Sequence, residues 1–311
     1  MANRRVFVAA MGEYLGVHPN DVIPTTGATG AIEAVRNHVF RTRMKTSPTV
    51  LTVCPGYWRA RESFEGFGFQ MIDLKTEPLG FTIDEAALLE KAQEVVPDLL
   101  YLSLPNNPTG AIFDPEIIIN GAPERTAIMI DLTLPSRALE ARELTGKLYQ
   151  LFRGRRDLFL VGSTSKSHGT AEYRVGWAVC AHSADAEQLG RENRSDVASL
   201  SVMEAIRQLG RKQTVVEMIE SSFALLREGE KGEVFDLIEP ERMAETAYVL
   251  IRSHAGAEEL RASLHRHNIS VMWGSEFDLT DEYLRLETTE PRNIRIFVDV
   301  INSCLTNKQS V

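Results

Sequence analysis

The chain has 311 residues, 43% hydrophobic and 25% charged, enough for one large domain and a smaller one. Its net charge of −9 argues against nucleic acid, whose recognition needs clustered positive charge to release counterions from phosphates. Cys54, Cys180 and Cys304 are widely separated and lack metal-ligand spacing, so no metal centre and a reducing cytoplasm are expected. No apolar run approaches the ~20 residues that cross a bilayer, and no membrane partner is expected.

Arg4-Arg5 followed by Val6 to Met11 mimics a secretory leader, but Glu13 cuts the apolar segment short and no small-residue cleavage site follows. A helix is predicted there instead, with Phe7, Met11, Tyr14 and Leu15 on one face. After a short strand, Thr25-Thr26-Gly27-Ala28-Thr29-Gly30 opens a helix in which Ile32, Val35, Val39 and Phe40 keep helical spacing. The free N–H groups of such a first turn can seat a phosphate, although the turn alone is common.

β-rich runs follow at Thr49 to Cys54, Phe69 to Leu74, Asp98 to Leu104, Thr126 to Asp131, Asp157 to Gly162 and Val175 to Ala181, alternating with helical periodicity. Thr82 with Glu85 makes a predicted capping box ahead of a helix from Ala86 to Val96. The alternation implies crossover helices, hence an α/β fold with a mostly parallel seven-stranded sheet in three α/β/α layers. From Ser199 to Arg227 a long helical pattern runs, and then the order changes. A strand Thr246 to Arg252, a helix Ala255 to His267 and strands Ile269 to Trp273 and Tyr283 to Glu287 lead to a last helix opened by Pro291. That helix spaces Ile294, Phe297, Val298, Ile301 and Leu305 along one face. This is a smaller C-terminal α+β domain. The predicted division is 1–218 and 219–311, joined by a continuous helix near residues 215–225.

Three clusters carry chemistry. Lys166 sits in Ser163-Thr164-Ser165-Lys166-Ser167-His168-Gly169, with Arg174-Val175-Gly176-Trp177 shortly after. A lysine after serines is ordinarily a solvated loop residue, but an amine near an arginine and hydroxyls also suits a Schiff base to pyridoxal phosphate (PLP). Pro105-Asn106-Asn107-Pro108-Thr109-Gly110 follows a buried strand and so lies at a carboxyl end, where open α/β sheets bind ligands. Asp131 ends the next strand. It could merely cap a helix, or it could hold a ring nitrogen protonated.

With these motifs in this order, the chain resembles a fold-type I PLP enzyme of the class I/II aminotransferase family, from about Val22 to Thr288, with an aspartate-aminotransferase-like fold. The resemblance implies that Lys166 forms the internal aldimine and Asp131 pairs with the pyridine nitrogen. It implies that Asn107 bonds the ring oxygen and contacts substrate, and that Gly27, Ala28, Thr29, Ser163 and Arg174 hold the phosphate. Tyr57, in Cys54-Pro55-Gly56-Tyr57-Trp58, matches the aromatic that stacks on the ring, with Trp58 as its rival. Arg285 matches the arginine that grips the substrate carboxylate, ahead of Arg295, which falls inside the last helix. The implied activity moves the amino group of an L-amino acid to a 2-oxo acid, in a cytoplasmic homodimer.

Two departures open other outcomes. Leu134 stands where the family has a tyrosine donor to the ring oxygen, and the segment before the phosphate turn is short, so either the family's arm is missing or the sequence is truncated; a missing arm predicts an open site and a dimer without the usual arm exchange. Elimination, oxidation or hydroxylation, or cyclisation of an arginine-like amino acid is the alternative, and a non-catalytic scaffold a third. Arg137, Glu140, Arg194, His168 and Glu172 are further polar side chains that can face either pocket or solvent.

Overall fold

The structure is a computed structural model and describes residues 2–193, 197–209, 214–231 and 234–306. It opens with helix α1 (Ala2–Leu15), strand β1 (Val22–Thr26) and helix α2 (Gly27–Arg43). Strands and helices then alternate through β2 (Thr49–Cys54), α3 (Trp58–Gly66), β3 (Gln70–Lys75), α4 (Glu85–Val95), β4 (Leu99–Ser103), α5 (Pro115–Gly121), β5 (Ala127–Asp131) and α6 (Ala141–Leu151). After β6 (Leu158–Ser163) come the single turn α7 (Thr164–Ser167), β7 (Val175–Cys180), α8 (Ser183–Glu192), α9 (Ser199–Leu209) and α10 (Thr214–Glu230). The chain continues with β8 (Phe235–Leu237), β9 (Tyr248–Ser253), α11 (Ala257–Arg266), β10 (Met272–Trp273), β11 (Tyr283–Glu287) and α12 (Pro291–Thr306).

The first seven strands form one sheet in the order β1-β7-β6-β5-β4-β2-β3. Only β7 opposes its neighbours, pairing antiparallel with β1 and β6, while β2, β3, β4, β5 and β6 pair in parallel. The central strands read as unbroken apolar runs because both faces are covered. Alternate residues go to opposite layers: Leu100, Leu102, Ile128, Ile130, Leu158 and Leu160 pack with α1, α4, α5, α6 and α9. Leu99, Tyr101, Met129, Phe159 and Val161 pack with α2, α3 and α8. Phe7, Met11 and Leu15 of α1 are buried as the periodicity predicts, and each such side chain contributes about 1.5–3 kcal/mol.

The last four strands form an antiparallel sheet, β10-β11-β9-β8, with its own core of Phe223, Phe235, Ile251, Leu260, Leu284 and Phe297. Ile219, Phe223 and Leu226 place α10 in this second core, and α10 spans the predicted joining region. Residues 210–213, between α9 and α10, lie outside the described ones. No helix among the described residues is long and apolar enough to cross a membrane.

Three details differ from the sequence-based expectation. α4 is capped by Asp84, whose carboxylate accepts from the N–H groups of Ala86 and Ala87. Thr82 instead accepts from the Glu241 N–H and Glu85 from that of Asp114, so the expected capping box does not form. Strand β8 adds an edge that three residues were too few to announce. On α12, Val298 is only half-buried while Val300 and Cys304 complete the inner face, and the side chain of Leu305 lies outside the described ones.

Candidate active site

Six strands deliver residues to one edge of the large sheet. β1, β2, β4, β5 and β6 end there, and β7, running the other way, begins there. Thr25 lies opposite Gly176, and Gly176 opposite Ser163, so the ends of three strands are held side by side. A Cβ on Gly176 would come within 2.4 Å of the Gly27 carbonyl carbon, which is why the strands can close up only around glycine.

Gly27 opens α2 with φ 73°, and a Cβ there would lie 2.8 Å from Nη2 of Arg174. The guanidinium therefore rests against the first turn of α2, beside Ala28 and Thr29. Thr26 at the N-cap makes no side-chain capping bond, which leaves the helix's first N–H groups for another acceptor. Arg174 donates through Nη1 to the Ala171 carbonyl at 3.3 Å and pairs with no carboxylate among the described residues. Ser163 is buried at the end of β6, its Oγ accepting from Ser165 N–H at 3.4 Å. Helix dipole, free amides, hydroxyl and guanidinium together make a seat for an anion such as phosphate.

Asp131 is buried at the end of β5. Its Oδ1 accepts from the N–H of Thr133 at 3.0 Å and from that residue's hydroxyl, and its Oδ2 from the Tyr101 hydroxyl at 3.3 Å. Burial raises its pKa, and these three donors only partly offset that. The pKa of Tyr57, just beyond β2, is raised by burial and by the Asp131 charge and lowered in part by the Thr29 side chain. Trp58 begins α3 and stacks under Arg59 at 4.8 Å. Asn107 is buried after β4; its N–H donates to Ser103 Oγ at 3.0 Å, and its Oδ1 accepts from Nη1 of Arg285 at 3.3 Å.

Lys166 occupies α7. Its Nζ lies 2.7 Å from Oε1 of Glu287 and 4.9 Å from the centre of the Tyr248 ring. Burial alone would lower the lysine pKa, but Tyr248 and Glu287 outweigh it and hold the ammonium above its ordinary value. Arg285, on β11, lies over the same Tyr248 ring at 4.0 Å and near Phe277 at 5.4 Å. Burial lowers its pKa, and no carboxylate among the described residues forms an ion pair with it. Its fork is open to a bidentate anion. Arg295 lies exposed on α12.

Tyr248 and Glu287 escaped the sequence reading. They are direct partners across β9 and β11, and Glu287 follows Arg285 by two, hence on the same strand face. That period-two spacing was the available signal. Leu134 is buried in the second core. Arg137 pairs with Glu220 on the surface, His168 bonds the Ser167 hydroxyl at 2.8 Å, Glu140 stands at the N-cap position of α6 without a side-chain capping bond, and Glu172 is exposed. Arg194 lies outside the described residues.

Residues 5–301 match the family described as aminotransferase class I and II. A histidinol-phosphate aminotransferase of Streptomyces avermitilis is 29% identical over 57% of this chain and 47% of its own length. One from Symbiobacterium thermophilum is 27% identical over 73% and 62%. The chain thus spans less than two thirds of either relative. Among solved structures, the histidinol-phosphate aminotransferase from Clostridium acetobutylicum superposes with a TM-score of 0.80 at 17% identity, covering 98% of this chain and 90% of that one. That from Sinorhizobium meliloti, solved in complex with pyridoxal-5'-phosphate, gives 0.77 at 18%, covering 97% and 82%. By the match along almost its whole length, the chain belongs to the class I and II aminotransferases.

Proposed function

We propose that the chain is a PLP-dependent aminotransferase that moves an amino group from an amino donor to a 2-oxo acid. The observation that carries this is the convergence of a lysine amine, a buried carboxylate and an anion seat on one sheet edge, to which Arg285 of the second sheet is joined through Asn107. The donor set fits the cofactor: the first turn of α2 (Gly27, Ala28, Thr29) with Ser163 and Arg174 for its phosphate, Asp131 for its ring nitrogen, Asn107 for its ring oxygen, Tyr57 for its ring face and Lys166 for its aldehyde. When bound, PLP supplies an electron sink that acidifies the C–H beside the substrate nitrogen.

The chain's own residues do the rest. A buried carboxylate is costly unless a cation sits against it, so Asp131 favours a protonated ring nitrogen. Once its amine is free, Lys166 takes up and returns a proton at Nζ, a role worth 10²–10⁴-fold in typical cases, and Glu287 holds the protonated form. Arg285 binds the donor's anionic group in its fork, with Asn107 fixing the guanidinium plane. The site lies between a large domain, 1–218, and a small one, 219–311, in a cytoplasmic homodimer.

The relatives' names make histidinol phosphate the first donor to try. The test begins with PLP and the purified chain: a visible band, and a borohydride-fixed adduct on Lys166, are expected. Histidinol phosphate and a panel of amino acids, each with a 2-oxo acid, should then interconvert amino and oxo forms. Release of ammonia or uptake of oxygen, without the aminated cofactor, would instead establish elimination or oxidation.

A further inference from the structure

Remote from the sheet edge, three elements meet at a histidine that nothing in the proposed reaction uses. His38, on α2, is 1% exposed and meets Phe159 edge-on with ring centroids 5.5 Å apart. Neither of its ring nitrogens has a hydrogen-bond partner among the described residues. Nε2 stops 3.7 Å from Oδ1 of Asp157, and Nδ1 3.6 Å from Oε2 of Glu192. Asp157 directly precedes β6, and Asp185 lies in the first turn of α8, fully buried, with Oδ2 accepting from Asp157 N–H at 2.7 Å. One ligand atom from each of His38, Asp157 and Asp185 lies within 4.8 Å of the other two. Buried polar atoms are almost always satisfied, so an imidazole orphaned at both ends and flanked by carboxylates calls for a missing partner.

The geometry points to a binding site for a divalent transition-metal ion, Zn²⁺ by its chemistry, held by His38, Asp157 and Asp185. One imidazole nitrogen and two carboxylate oxygens form a mixed donor set that suits zinc better than an all-oxygen cation. Three arginines balance the three carboxylates as they stand, so an ion must displace two of them. Arg43 pairs with Asp157 at 2.8 Å, Arg156 with Asp185 at 3.0 Å and Arg41 with Glu192 at 3.8 Å. The Arg156 and Arg41 side chains are 61% and 58% exposed, so both can turn out to water once the ion takes over their carboxylates, of which that of Asp185 is buried and needs a cation. The carboxylates of Asp157, Asp185 and Glu192 then carry −3 and Arg43 +1, a remainder of −2 that one divalent ion cancels with His38 neutral.

Zinc bonds of ~2.0–2.1 Å set tetrahedral donors roughly 3.4 Å apart. Binding therefore draws the three groups inward, with Arg156 yielding Oδ1 of Asp185 and water taking the fourth position. Glu192 then accepts from the other imidazole nitrogen and orients the ring. The ion would tie α2, whose first turn is the anion seat, to β6, which leads to Lys166, and to α8.

The competing occupant is a proton: an imidazolium between Asp157 and Glu192 needs no metal. The full chain carrying PLP is loaded with Zn²⁺ and dialysed against metal-free buffer. One zinc retained per chain is expected, with a zinc K-edge spectrum showing a single imidazole and oxygen donors at about 2.0 Å. His38→Gln and Asp185→Asn should lose the ion, and Glu192→Gln should weaken its binding ~10–100-fold. No retained zinc, sulfur donors in the spectrum, or unchanged retention in His38→Gln would overturn the site. Because the spectrum is taken on the unsubstituted chain, a variant that fails to fold does not decide the matter.

Discussion

Lys166 sits between opposing influences: burial favours its neutral amine, while Tyr248 and Glu287 favour the ammonium and prevail. Imine formation needs the neutral amine. Removing the anion destabilises the ammonium and enlarges the amine fraction, so Glu287→Gln should capture PLP several-fold faster at neutral pH. Stopped-flow absorbance reads this, and a slower capture would mean that Glu287 assists attack instead. Lys166→Ala should abolish the borohydride adduct and cut turnover by at least ~10²–10⁴-fold. Asp131 presents the opposite balance. Its folded-state pKa is raised, so the stability it contributes is fully present below the ordinary carboxylate value and lost as pH rises through the raised one. At neutral pH the cofactor-free Asp131→Asn variant should therefore melt a few degrees higher than the parent while turnover falls on the order of 10²-fold. Calorimetry without PLP beside a rate assay with it separates the two effects.

At the scale of elements, the large sheet was legible because strands covered on both faces are continuous apolar runs closed by turn residues. Asp131 and Asn107 were legible for a related reason, since a polar residue at the end of such a run must emerge at the sheet's carboxyl edge. Tyr248 and Glu287 were not, because they reach Lys166 only through the pairing of β9 with β11 and the docking of that sheet against α7. His38, Asp157 and Asp185 are likewise scattered along the sequence and joined only by packing. The start of α4 misled for a local reason: the predicted capping box rested on Thr82, and Asp84, two residues on, takes the cap instead. Asp84→Ala should cost about 1 kcal/mol in urea unfolding. Thr82→Ala, which loses only a contact to Glu241, should leave α4's capping intact. Gly176→Ala forces apart the strands that frame the anion seat; about 1–3 kcal/mol of destabilisation and weaker PLP binding are expected, checked by unfolding and cofactor titration.

Across the whole molecule, the two sheets are stitched by backbone as well as side chains. Ile112 N–H donates to the Arg242 carbonyl and Ala244 N–H to that of Gly110, each at 2.9 Å, while the Thr246 hydroxyl donates to the Pro135 carbonyl at 2.8 Å. Gly110 has φ 72°, and a Cβ there would lie 2.8 Å from the Ala244 carbonyl oxygen. Gly110→Ala should wedge the two halves apart at their seam, costing about 1–3 kcal/mol and raising KM more than it lowers kcat, because Asn107 and Arg285 would no longer meet. Steady-state kinetics beside urea unfolding checks both parts. The contact between Lys166 and Glu287 crosses this same seam. It acts as a clasp, which the covalent link proposed for Lys166 would undo. On that proposal, protease sensitivity near Glu287 should rise when PLP is added, the reverse of the tightening that ligands ordinarily bring.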